Sequence, residues 1–114
     1  MSDEPIDKAV FGELCSTTGS DFVADLVGTF CDEAASILAQ LREAAEIGDA
    51  TKYKRAAHSL KSNANAFGAA RLAALAREIE LGGLGPDAAT KVANLGAELE
   101  RAAGRLKELA HGGT

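Results

Sequence analysis

Apolar residues recur every three to four positions along most of the chain, which is the spacing of helices that each bury one stripe. Ile6, Val10, Phe11 and Leu14 predict a short helix from Asp7 to Cys15, opened by Pro5 and Asp7. Ser16 to Gly19 reads as a turn, after which Ser20 or Asp21 can cap a long helix. Phe22, Val23, Leu26, Val27, Phe30, Ala34, Ile37, Leu38, Leu41, Ala45 and Ile47 keep the repeat as far as Gly48. At about 1.5 Å per residue this helix approaches ~40 Å. The next, Asp49 to Phe67, carries Tyr53, Ala57, Leu60, Ala64 and Phe67 as its stripe and stops at Gly68. A helix from Ala70 to Leu81 turns Leu72, Leu75, Ala76 and Ile79 inward. Gly82-Gly83-Leu84-Gly85-Pro86 is the clearest break, and Pro86 with Asp87 suits the first turn of a last helix, Asp87 to Ala110. Its inward positions are Ala88, Val92, Leu95, Leu99, Ala102, Leu106 and Leu109.

Four substantial amphipathic helices joined by short connections predict an all-α fold: an antiparallel up-down four-helix bundle with a short additional N-terminal helix. A length of 114 residues implies one domain, 1–114, with residues 1–5 and 111–114 expected to be disordered. Composition agrees. Hydrophobic residues make up 46% of the chain but aromatics only 4%, with no Trp, so the core is built chiefly from aliphatic side chains and abundant alanine, which suits closely packed helices.

Several function classes fall away. Cys15 and Cys31 sit within apolar helical patterns with no Cys-x-x-Cys or Cys/His spacing, so they read as reduced core thiols and not as a metal or redox pair. The glycine cluster before Pro86 lacks the lysine-serine and strand context of a phosphate-binding loop and is a connector. His111 has no partners at ligand spacing. No apolar run approaches the roughly 18 residues that span a bilayer, and the polar, acidic stretch from Met1 to Lys8 does not read as a secretory leader, so the expected compartment is the cytoplasm.

Net charge is −5, which argues against nucleic-acid binding, but the distribution says more than the sum. Residues 1–50 hold eleven acids and two bases, residues 51–77 six bases and no acid, and residues 78–114 six acids and four bases. The positive charge gathers around one histidine. At about 100° per residue, His58 lies roughly 140° from the apolar stripe of its helix, on the side of Lys54, Lys61, Ser62 and Asn65, and should face water. A lone exposed histidine is most often an ordinary solvated side chain. Here Lys54 lies one turn before it, Lys61 one turn after it, and Ser62 leaves it approachable.

These residues carry a resemblance. His58-Ser59-Leu60-Lys61-Ser62, followed by Gly68-Ala69, resembles the signature of histidine-containing phosphotransfer (HPt) domains, roughly His-x-Leu-Lys-(Gly/Ser)-Ser-(Ser/Ala)-x-x-x-Gly-Ala. The similarity runs upstream into Arg55-Ala56-Ala57 and downstream into Arg71 to Ala76, and the chain length matches a free-standing member. Asn63 departs from the small serine that is more usual, which bears on partner preference and local phosphate contacts.

The resemblance implies a phosphocarrier without ATP-dependent kinase activity of its own. His58 would be the phosphoacceptor, attacking through Nε2, and Lys61 would neutralise the phosphoryl oxygens. Lys54 or Arg55 would add longer-range attraction and, by like-charge repulsion, favour the neutral imidazole, while Ser62 would give space. The partners implied are response-regulator receiver domains and/or a hybrid histidine kinase, with Mg2+ bound on the receiver and no cofactor or metal on this chain. A monomer is expected, binding neither nucleic acid nor membrane. Asn65 joins the basic side of the interface, and Phe11, Leu14 and Phe22 are candidates for its exposed apolar rim.

Three other readings compete. A sensor-kinase dimerisation domain would carry an acidic residue after its histidine, where this chain has Ser59, and would dimerise on gel filtration. A helical adaptor with an ordinary surface histidine would take no acid-labile phosphate from any donor. A metal or haem bundle would need ligand pairs that two distant histidines do not supply.

Overall fold

The computed structural model describes residues 4–111 and contains five α-helices: α1 (Lys8–Thr18), α2 (Ser20–Ile47), α3 (Ala50–Ala66), α4 (Ala70–Gly82) and α5 (Ala88–Ala110). Among the described residues there is no strand, and no helix is long and apolar enough to cross a membrane. The all-α reading stands. α3 packs against α2 and α4, and α5 packs against the other faces of the same two helices; α1 lies on α2 and α3. α2, with 28 residues, matches at about 1.5 Å per residue the 42 Å long dimension of the molecule.

The helix ends follow local chemistry. Asp7 caps α1 by accepting hydrogen bonds from the amides of Ala9 and Val10, and Asp49 caps α3 by accepting from Lys52 N at 3.0 Å. Gly48 adopts a left-handed conformation (φ +75°) that closes α2, and the amides of Gly48 and Asp49 both donate to the Ala44 carbonyl. The chain thus reverses from α2 into α3 through two residues.

Some boundaries differ from the sequence reading. α1 runs on to Thr18 instead of ending at Cys15, because no residue before Gly19 (φ +96°) interrupts the helical backbone. α2 is preceded by Gly19 at its cap position, which has no side chain to offer its amides. Asp87 stands just outside α5, with no side-chain cap bond.

One continuous core runs through all five helices. It is filled by small and aliphatic side chains, with Tyr53, Leu41, Leu60, Leu72, Ile79, Leu95 and Leu106 wholly inside and the rings of Phe30 and Phe67 stacked at 4.7 Å between centroids. Phe22 and Ile47, near the two ends of α2, are exposed, while Val10 is 36% exposed and sets its Cβ toward Gly68. Cys15 and Cys31 are half-buried free thiols, and burial pushes the Cys31 thiol up, away from the reactive thiolate.

Of the termini expected to be disordered, residues 1–3 and 112–114 lie outside the described residues. Glu4 does not behave as a tail residue. Both of its oxygens accept from Nε of Arg105 on α5, at 2.9 and 3.0 Å, which holds its carboxyl below the usual range.

Candidate functional site

Two features of α3 decide where the site forms. Its inward face is Tyr53, Ala56, Ala57, Leu60 and Ala64, and α4 meets it with Leu72, Ala73, Ala76 and Ile79. Alanines on both sides let the two backbones approach closely, so side chains at the edge of the contact reach across it. His58 and Lys61 stand three residues apart on the α4 side of α3, and Glu80 stands one residue beyond the buried Ile79.

The three side chains form one cluster. Nδ1 of His58 lies 2.7 Å from Oε2 of Glu80, and Nζ of Lys61 donates to Oε1 of the same carboxylate at 2.8 Å. The Lys61 hydrogen bond, with a lesser contribution from His58, holds the Glu80 carboxyl below its usual range against the opposing effect of partial burial. An ionised carboxylate can only accept, so Nδ1 carries hydrogen, and in the neutral form of the ring the lone pair lies on Nε2. His58 remains 58% exposed while Lys61 and Glu80 are each about three-quarters covered, so the imidazole is open and its two partners are sheltered.

The surrounding residues divide. Lys54, Arg55, Ser62 and Asn65 are exposed on α3, as the helical count predicts. Phe22 is 62% exposed. Leu14 is half-buried and packs against the core, and Phe11 is fully in the core at 5% exposure, which removes it from any apolar rim. The reason lies at the start of α1. The Asp7 amide donates to the Gly68 carbonyl at 2.6 Å, pinning α1 on the α3–α4 turn and rotating Phe11 inward.

Lys61 is the ion-pair partner of Glu80. The cluster therefore corrects the picture of a histidine ringed only by bases: the balancing acid comes from α4, 22 residues along the chain. A signal for it was present in the sequence. Gly68 reverses the chain, His58 lies ten residues before it and Glu80 twelve after, and in a helical hairpin positions about equidistant from the turn come side by side. Among the described residues no group of three or more His, Cys, Asp or Glu could hold a metal ion.

An all-α fold with a solvent-facing imidazole tied to a carboxylate that a lysine holds from its other oxygen defines a helical module built to display a histidine. The chain belongs to the Hpt domain family, whose match covers residues 25–105 and thus includes His58, Lys61 and Glu80. Its structure is similar to that of histidine-containing phosphotransfer protein B (HptB) from Pseudomonas aeruginosa PAO1, with a TM-score of 0.74 and 25% identity over 97% of this chain and 95% of that one. No curated protein sequence matches the chain. Hpt domains are the histidine-phosphotransfer modules of two-component signalling.

Proposed function

We propose that the chain is a phosphocarrier of a multistep phosphorelay: His58 accepts a phosphoryl group from an aspartate of one receiver domain and passes it to another. The observation that carries this reading is the exposed imidazole whose Nδ1 is tied to Glu80 beside Lys61. The Nε2 lone pair attacks phosphorus of the aspartyl phosphate. The bond from phosphorus to the carboxylate oxygen breaks, that oxygen keeps the electron pair, and the Nδ1 hydrogen stays where it is. No proton has to leave the site during the transfer, and Lys61 lies close enough to offset the arriving negative charge.

The chemistry needs no nucleotide on this chain, so it acts as a carrier and not a kinase. Mg2+ would reside with the receiver's own acidic residues. Lys54, Arg55, Ser62 and Asn65, on the helix that carries the histidine, form the receiver-facing surface, with Phe22 and Leu14 as its apolar edge. We further read residues 1–114 as one domain, monomeric and cytoplasmic, with α2 to α5 as an antiparallel up-down four-helix bundle; the ring of neighbours α2–α3–α4–α5 and the short connections support this arrangement.

Transfer of radiolabelled phosphate from a panel of phosphorylated receivers tests the proposal. Rapid, acid-labile labelling that is abolished in His58→Gln is expected. A folded chain that takes no label from any receiver would overturn it in favour of a helical adaptor.

A further inference from the structure

A carboxylate against Nδ1 constrains the phosphorylated ring as much as the resting one. It offers only acceptor sites, whereas a side-chain amide offers an acceptor oxygen and a donor NH2. At 2.7 Å from Nδ1, Glu80 is therefore compatible with one state of that nitrogen, the N–H state. An unprotonated Nδ1 would set its lone pair against an anion at hydrogen-bond distance.

That restriction matters most when the phosphoryl group departs. With a hydrogen on Nδ1, breaking the N–P bond returns the electron pair to Nε2 and yields neutral imidazole. Without it, the same cleavage yields imidazolate, a much poorer leaving group. Resting on the phosphoacceptor reading of His58, we infer that Glu80 is a positioning residue for the donor half of the transfer: it keeps the Nδ1 hydrogen on phosphorylated His58, so that the ring always leaves as neutral imidazole. In the step itself an aspartate oxygen of the accepting receiver attacks phosphorus, the N–P pair returns to Nε2, and the hydrogen stays on Nδ1, donated to Glu80.

The cluster is built for this. Lys61 occupies the other oxygen of the carboxylate at 2.8 Å, which keeps Glu80 ionised and aimed. The charges that act on Glu80 are those of Lys61 and His58. The other charged groups on the packed helices leave the Nδ1 hydrogen bond to Glu80. On α3 these are Lys54 and Arg55; on α4, Arg77 lies one turn before Glu80. From α2, Glu43 is paired with Lys52, and from α1, Asp7 is engaged as a helix cap.

The test compares release from the phosphorylated wild type, Glu80→Gln and Glu80→Ala to the same receiver across pH, read as the ratio of wild-type to variant rate so that the receiver's own pH response cancels. Near pH 6, where an unheld ring is protonated anyway, the ratios should stay within about twofold; near pH 9, roughly 2.5 units above the ordinary histidine value of about 6.5, both variants should lag by at least about tenfold. Nitrogen-15 NMR of the phosphorylated wild-type ring at the higher pH should show Nδ1 still carrying hydrogen, a readout that depends on no variant folding. A ratio that is constant with pH, or a wild-type Nδ1 without hydrogen, would overturn the inference while leaving His58 the phosphoacceptor. Failure of the wild type to take label on His58 would instead overturn the phosphoacceptor reading, and this inference with it.

Discussion

At the scale of single residues, Lys61 has two anions to serve. At rest its ammonium is on Glu80; in transfer it would face the phosphoryl oxygens as well, and a lone charge on a flexible stem can do both within one turn of helix. Lys61→Ala should therefore slow labelling of His58 by about 10²-fold, the usual cost of removing one charge-stabilising donor from a reaction centre. Its effect on stability should stay below about 1 kcal/mol, as for other partly exposed ion pairs. Quench-flow labelling alongside a urea melt separates the two, and a stability loss large enough to explain the rate would refute the catalytic assignment. His58 and Lys61 could be read from the chain because their relation is one helical turn. Glu80 was signalled only by its distance from the Gly68 turn, because its relation to them exists only once α4 lies on α3.

Among the elements, the α3–α4 turn has the narrowest tolerance. Gly68 holds φ +78°, and a Cβ there would lie 2.8 Å from the Asp7 carbonyl oxygen and 3.2 Å from Val10 Cβ. The glycine of the motif thus serves α1 as well as the turn: it lets the short helix dock through the bond from the Asp7 amide to the Gly68 carbonyl. Gly68→Ala should destabilise by about 2 to 4 kcal/mol, of which roughly 1 to 2 comes from the left-handed backbone and the rest from displacing α1. Gly28 in α2 is the counter-case, with nothing within 4 Å of its missing Cβ. Gly28→Ala should stabilise by about 0.5 to 1 kcal/mol. Chemical denaturation of the pair decides the matter, and equal midpoints would show that the close approach at Gly68 is relaxed in solution. The burial of Phe11 was hidden from the sequence for a related reason: the rotation of a short helix is set by what it lies on, not by its own pattern.

For the molecule as a whole, pH acts through two carboxylates that join distant segments. Glu4 ties the N-terminal segment to α5, and Glu80 ties α4 to α3; both are held below their ordinary value of 4.5 by cationic hydrogen-bond partners. A carboxyl depressed in the folded state binds protons more readily once unfolded. Its contribution is complete above the ordinary value and is lost as pH falls through the lowered one. Stability should accordingly decline below about pH 4.5, and Glu4→Gln combined with Glu80→Gln should flatten that decline. Urea midpoints between neutral pH and about pH 3 measure it, and an unchanged acid limb in the double variant would assign the loss to other carboxylates.

The sequence by itself determined the helices, the turns at Gly48 and Gly68, the family signature and the outward placement of His58, because each rests on relations within a few residues: a period near 3.6, a cap, a left-handed glycine. Tertiary structure alone decided that Phe11 is core while Phe22 is surface, that Glu4 is tethered to Arg105, and that the basic face of α3 is answered by Glu80. Those are contacts between segments far apart in the chain, and they exist only after the alanine-lined faces of the helices have packed and brought their edges within hydrogen-bond reach.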